Sequence, residues 1–507
     1  MSVRLLSAQT NSAADLSAQV RQLTDALART QTQLQQSQRQ LDEMRQQLTE
    51  VERRLAQSQP ASQPTPGPPQ TAASSSSSSS SAEGPAPAIA AALQDIRERQ
   101  TMEETQIATH DQTKIESESK YPLKITGLLL LNGFVNTRAV DMPATPTVAI
   151  PGSGTTGVTV RQTVLGVDAF GPHLLGARSY ADLRVDFDGS AQGSNTAGFS
   201  GYFGAASTLL RLRTAHAGLQ WSRTDAYFSL DRPIFSPDSP TSLTAVAEPA
   251  LAWSGNLWAW SPRLGVTQDL ALGDTRNLGL QAALVDVGDA PGSLMLPPSS
   301  ATSLGTSTSA ERSRWPGLEA RIALLGSRPR EEDGNHFGVG GYFAPHLSSL
   351  GKRFDSWAGT LDTRVHLPAH LEFTGSFYRG LALGGLGGGA YKDFAYIEEP
   401  YLPTYYSRPL DDVGGWVQLK ERLNERLELN AAFGLDNVFA GQLRPYLVPN
   451  GNYYQNLARN RTYTGNFLYS PSAYLLFSVE YRHLVSSPVI GSPSGANVIG
   501  LGAGFKF

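Results

Sequence analysis

From residue 122 onward, apolar and polar side chains alternate along short segments separated by Gly, Pro and Ser. In "SYADLRVDFDG", Ala181, Leu183, Val185 and Phe187 share one side, and Tyr180, Asp182, Arg184, Asp186 and Asp188 share the other. "GLEARIALLG", "WAGTLDTRVHL", "HLEFTGSFYR", "RLELNAAF" and "AYLLFSVEYRHL" repeat the scheme. A period of two predicts strands with one dry face and one wet face. About 16 strands are predicted, near 122-137, 159-168, 178-188, 207-221, 225-231, 257-268, 276-286, 316-325, 336-344, 354-366, 370-380, 413-422, 426-434, 460-469, 473-484 and 496-507. They run longer than strands of soluble sheets, their number is even, and long connections alternate with short ones. This combination predicts an all-β transmembrane barrel, wide enough at this strand number for a wet lumen. In the last segment, "ANVIGLGAGFKF", Ile499, Leu501, Ala503, Phe505 and Phe507 face one way and Val498, Gly500, Gly502 and Gly504 the other. A sheet in lipid leaves no edge unpaired, so this strand is expected to close against "KITGLLLLNGFVNT".

The N-terminal part follows a different period. Residues 16 to 55 carry a 4-3 spacing of Leu16, Val20, Leu23, Leu27, Thr30, Leu34, Ser37, Leu41, Met44, Leu48, Val51 and Leu55. Gln, Arg and Glu lie between them, so residues 1-57 read as a coiled coil. Leu at the a positions tilts it towards three strands or four, and a trimer is the expectation. Such a rod is roughly 60 Å long. Residues 58-87 are Pro- and Ser-rich and read as a disordered linker. Residues 88-121 hold a short helical stretch carrying Ile89, Leu93, Ile96 and Ile107, and a connector. The barrel is assigned to 122-507.

Composition narrows the chemistry. The 507 residues contain no cysteine, which excludes disulfides, thiolate metal sites and a cysteine nucleophile. The net charge of -4 implies no general attraction to nucleic acid. No apolar run reaches the length of a transmembrane helix; "GLLLLNGF" is the longest. "MSVRLL" has no apolar leader region behind it, so the expectation is a start lying upstream or a processed chain.

The alternating strand ending in Phe507 resembles the assembly signal of bacterial outer-membrane β-barrels, with Phe505 and Phe507 as its aromatics. The coiled coil, linker and barrel, in that order, resemble the DcaP-like porins and the sucrose porin. "SKYPLKITGLLLLNGFVNT" resembles the entry to their first strand, and "DAYFSLDRPIFSP" the segment leading to their inward-folded third loop. The resemblance implies a homotrimer in the outer membrane, inserted by the barrel-assembly machinery. It implies passive diffusion of small hydrophilic solutes, with the helical extension in the periplasm. The rod then serves trimerisation or spacing from the cell wall, with peptidoglycan and outer-membrane lipid as candidate partners. The alternative is a structural barrel that anchors the envelope and has a plugged lumen.

A diffusion pore needs fixed charges rather than a nucleophile. Alternation points Arg184, Arg211, Arg213, Arg321, Arg364, Lys420 and Arg482 inward, together with Asp182, Asp186, Glu319, Asp362, Glu372, Glu428 and Glu480. The resemblance makes 232-256 the constriction loop, with Asp238 and Glu248 facing Arg211 and Arg213. Each charge has a plainer reading, as a residue that pairs with a neighbour and wets the wall. "GSGTTG", residues 152-157, has no helix behind it to hold a phosphate and reads as a mobile loop. "GGLGGG", residues 384-389, reads as flexible. Trp253, Trp258 and Trp260 read as interface girdle residues, with a sugar slide as the second reading. "PREEDG" lacks calcium-loop spacing. His483 near Ser486 and Ser487 gives the sole hydrolase candidate, without a nucleophile turn. The scattered histidines suggest no metal site, and no cofactor or catalytic residue is assigned.

Overall fold

Strand residues 457 to 469 show how the pattern becomes structure. Asn460, Thr462, Thr464 and Asn466 are buried inside, while Tyr463 and Phe467 stand 45% and 41% exposed on the outer wall. Water would make that outer face costly, whereas lipid makes it the stable one. The same inversion recurs around the whole sheet, with Leu129, Leu131, Phe228, Leu264, Ile322, Val339, Phe377, Val417, Val479 and Leu501 all exposed.

The computed structural model describes residues 122–189, 209–273, 276–291, 307–326, 334–348, 350–398, 405–447 and 454–507. The heptad seam, the linker and the helical stretch before residue 122, and "PREEDG" apart from Gly334, lie outside them. The strands are β1 (Leu123–Val140), β2 (Ala149–Thr159), β3 (Val164–Leu174), β4 (Ala177–Gly189), β5 (Leu209–Gln220) and β6 (Thr224–Asp231). Next come β7 (Ser261–Ala271), β8 (Asn277–Val285), β9 (Gly317–Leu325), β10 (His336–Leu347), β11 (Arg353–Leu367) and β12 (Leu371–Leu381). The rest are β13 (Phe394–Glu398), β14 (Tyr405–Pro409), β15 (Asp411–Asn424), β16 (Leu427–Val438), β17 (Leu457–Tyr469), β18 (Leu475–Pro488) and β19 (Ser494–Lys506).

All wall pairings are antiparallel, and β19 returns to β1 from Leu128↔Lys506 to Asn136↔Val498. The barrel is therefore closed. β2 and β3 both pair with β1, one above the other, so they share one stave and the barrel has 16. Phe507 ends the closure: its backbone exchanges hydrogen bonds of 3.0 and 2.9 Å with Gly127, and its ring lies where a Gly127 side chain would be. Phe505 and Tyr474 stack beside it.

Turns such as Leu175–Gly176, where φ is 52° and 77°, crowd one rim together with both ends of the barrel. Two left-handed residues in succession make the tight hairpin that a right-twisted strand pair prefers. The long connections gather at the other rim. Two expectations are corrected here. "GSGTTG" is not a mobile loop but the body of β2, and the stave predicted at 159-168 is two strands broken at residues 160 to 163. The connection after β12 contains the β13–β14 hairpin, which alternation did not predict.

Candidate functional site

The connection from Arg232 to Trp260 does not stay at the rim; it crosses the lumen. It leaves β6 and first meets the wall at β9 to β11. The Ile234 N–H donates to Glu319 at 3.2 Å, and Phe235 sits where a side chain on Gly340 would clash with it. Its middle reaches β15, β17 and β18. Thr241 N–H donates to Gln418 at 2.6 Å, Asn466 donates to the Thr241 carbonyl at 2.7 Å, and Ser242 donates to Glu480 at 2.5 Å. The far end is seated on the closing strand. A Cβ on Gly500 would lie 2.8 Å from Thr244 Oγ1, and one on Gly502 3.2 Å from Leu243. The inward glycines of the last strand are thus the floor on which the loop rests.

Gln162, fully buried, fixes that end with one side chain. Its Oε1 accepts from Val246 and Ala247 N–H at 2.7 and 3.1 Å, and its Nε2 donates to the Thr244 carbonyl at 3.1 Å. Asn132 donates to the Leu243 carbonyl at 2.9 Å. Neither residue was singled out from the sequence, since an inward amide on a strand looks like ordinary lumen lining. The alternating glycines at 500 and 502 were the visible signal.

A second connection seats the loop from the long-loop side. Leu386 accepts from the N–H groups of Trp258 and Ala259 at 3.1 and 3.3 Å, and Tyr391 stacks on Trp253 at 3.9 Å. The Lys392 ammonium donates to the carbonyls of Ala390, Tyr454 and Leu457 at 2.7, 2.7 and 2.8 Å. Burial lowers its pKa to about 7, and burial raises that of Asp393 to about 7. "GGLGGG" is therefore corrected: glycine permits close approach here, as a Cβ on Gly384 or Gly385 would overlap Ala290 or Gly288. The three tryptophans are corrected too. Trp253 and Trp258 are 5% and 8% exposed inside the barrel, and Trp260 lies against Arg211 and Arg213 at 5.2 and 4.9 Å.

All seven basic residues expected inside face inward. Arg211 and Arg213 share Asp186 at 2.7 and 3.2 Å and also donate to the Ala247 and Val246 carbonyls. Arg184 pairs with Asp168 at 2.6 Å, Arg321 grips Asp362 through two bonds of 3.0 and 2.5 Å, and Lys420 approaches Glu372 at 3.5 Å. Arg482 pairs with Glu480 at 2.6 Å and donates to Thr244. Arg364 holds Asp238 at 2.6 Å, and His336 approaches it at 2.9 Å. Burial pushes the Asp238 carboxyl up, but the His336 hydrogen bond and the Arg364 charge outweigh it, and the net displacement is downward. The expected opposition is thus divided. Asp238 meets Arg364, while Glu248 remains near Arg211, its Oε2 buried and unbonded. Burial, with Asp141 next, pushes the Glu248 pKa up to about 8.

Asp238, His336 and Asp362 offer ligand atoms within 4.8 Å of one another. Both carboxylates are already held by guanidinium groups, which balances their charge without a cation. His483 and Ser486 do not meet. His483 faces outward to Asn497 at 2.7 Å, and Ser486 faces inward to Asn460 at 2.7 Å.

The loop leaves one side of the lumen uncovered. Along β4, β5 and β6 several inward residues stay part-exposed, with Asp182 at 25%, His216 at 26% and Asp231 at 33%, while Asp186 and Ser229 on the same strands are buried. His216 bridges those two carboxylates at 2.9 and 3.1 Å, and Tyr180 donates to Asp225 at 2.9 Å. A cavity of about 310 Å³ opens between this wall and Arg232, Pro233 and Ile234. Opposite, the inward residues of β17 to β19 are buried beneath the loop.

No family model matches the chain, and no curated protein matches it. Among solved structures it is similar to the outer membrane channel DcaP of Acinetobacter baumannii, at 15% identity and a TM-score of 0.54, over 78% of this chain and 99% of that one. It is also similar to the anion-selective porin from Comamonas acidovorans, at 10% identity and a TM-score of 0.46, over 76% and 100% of the two chains. At 15% identity the likeness to the DcaP channel is one of fold.

Proposed function

We propose that the chain is an outer-membrane porin through which small hydrophilic solutes diffuse passively. The observation that carries this reading is the asymmetric lumen. The inward loop covers the walls on one side and leaves a charged, solvent-accessible strip along β4 to β6. Arg184, Arg211 and Arg213 line this strip as fixed charges, and Glu248 sits at its edge. Arg321, Arg364, Lys420, Arg482 and Asp238 hold the loop and the opposite wall in place. Long loops face outward and tight turns face the periplasm, where the chain before residue 122 also emerges. The fold supports the address, since an apolar exterior with a wet interior is stable only across a bilayer. Residues 1-57 form a trimeric coiled coil, joined to the barrel through the linker 58-87, that serves trimerisation or spacing from the cell wall.

One observation favours the other reading, an anchoring barrel with a plugged lumen: the loop touches most of the wall. Proteoliposome swelling in small neutral sugars separates the two. Swelling faster than in protein-free vesicles supports the porin; folded, inserted protein without swelling supports the plug.

A further inference from the structure

The outer wall carries a feature that solute passage does not use. On β17 the outward residues run Arg459, Arg461, Tyr463 from the long-loop rim downward. Tyr463 lies in a belt of rings, with Phe433 at 4.9 Å and His483 at 6.2 Å. Tyr481 and His483 both bond Asn497 beside it, at 2.9 and 2.7 Å. Such a belt marks the boundary between acyl chains and headgroups. Arg461 and Arg459 stand about 7 and 14 Å further along the strand, which puts them among the headgroups. Their cross-strand neighbours are Leu435 and Val485, then Asn437 and Ser487, none of them acidic. Neither guanidinium has an ionic or hydrogen-bonding partner among the described residues. The contrast is Arg379, outward on β12 near the same rim. It is neutralised by Asp411 at 2.6 Å and covered by Phe439 at 4.7 Å.

We propose that Arg459 and Arg461 form a binding site for the phosphate of a lipid headgroup in the leaflet facing the long loops. Two arginines on one strand face, about 7 Å apart along the backbone, carry guanidinium forks suited to phosphate oxygens. The acyl chains then lie on Tyr463, Phe467 and the neighbouring apolar staves. The proposal rests on the membrane placement given above.

Native mass spectrometry of the full chain in detergent, titrated with phosphatidic acid, tests it. Affinity should fall about tenfold for each arginine replaced in R459A and R459A/R461A, while R379A binds as the wild type. Excess inorganic phosphate should not displace the lipid. Equal binding by the double variant overturns the proposal. So does displacement by inorganic phosphate, which would mark a free-anion site. So does loss of oligomer in the double variant, which would make this face a contact between copies. Retained heat-modified gel mobility shows that the variants fold. Swelling activity that persists while lipid binding fails leaves the porin reading standing and removes only this site.

Discussion

Replacing Gln162 by Ala should loosen the inward loop without unfolding the barrel. The side chain makes three hydrogen bonds of 2.7 to 3.1 Å to backbone groups of Thr244, Val246 and Ala247. Its removal leaves two buried N–H donors without their acceptor. An orphaned buried donor costs about 1–3 kcal/mol, so the seated loop loses about 2–6 kcal/mol. Even the lower figure shifts a seated-to-lifted equilibrium by a factor of about 30. Arg211, Arg213 and Asn132 still hold the same segment, so the loop samples lifted states rather than leaving its seat. The wall pairing of β1 with β19 is untouched, and melting should change little. Single-channel recording reads the outcome as more frequent excursions to larger conductance. A folded Q162A channel with the conductance and current noise of the wild type would refute the reasoning.

Three further outcomes are expected. Glu248 is neutral below about pH 8 and charged above it, so reversal potentials should move towards cation preference as pH rises through that value. Its raised pKa also makes its contribution to stability full below about 4.5 and lost as pH climbs through about 8; E248Q should lose this component of the pH dependence in both measurements. D362N strands a buried Arg321 and should cost about 3 kcal/mol or more, read as a lower melting temperature; an unchanged melt would count against the pair. Deleting residues 1 to 87 should abolish the stable trimer in cross-linking while leaving unit conductance intact.

The wall was legible because each stave separates a lipid face from a lumen face, and that contrast survives in single residues such as Arg321 between Ala320 and Ile322. β2 was not legible. Its "GSGTTG" carries little apolar contrast, so it resembles a loop, yet its backbone pairs with β1 as any strand does. The β13–β14 hairpin is likewise hidden by aromatics on both faces. Inward direction for the seven basic residues followed from parity alone. Their partners did not, because pairing across the lumen depends on where a long loop travels. Asp238 could not be matched to Arg364 without knowing that the loop passes β11 before it reaches β19. The tryptophans misled for a related reason: their residue type suits an interface belt, and only the inward course of their loop buries them.

The central claim is that the barrel spans a bilayer with a passage left open beside the inward loop. Planar-bilayer recording of the purified full chain tests it most directly. The account predicts stable, ohmic steps, grouped in threes as trimers insert. Protein that inserts, keeps its heat-modified mobility and passes no current would contradict it.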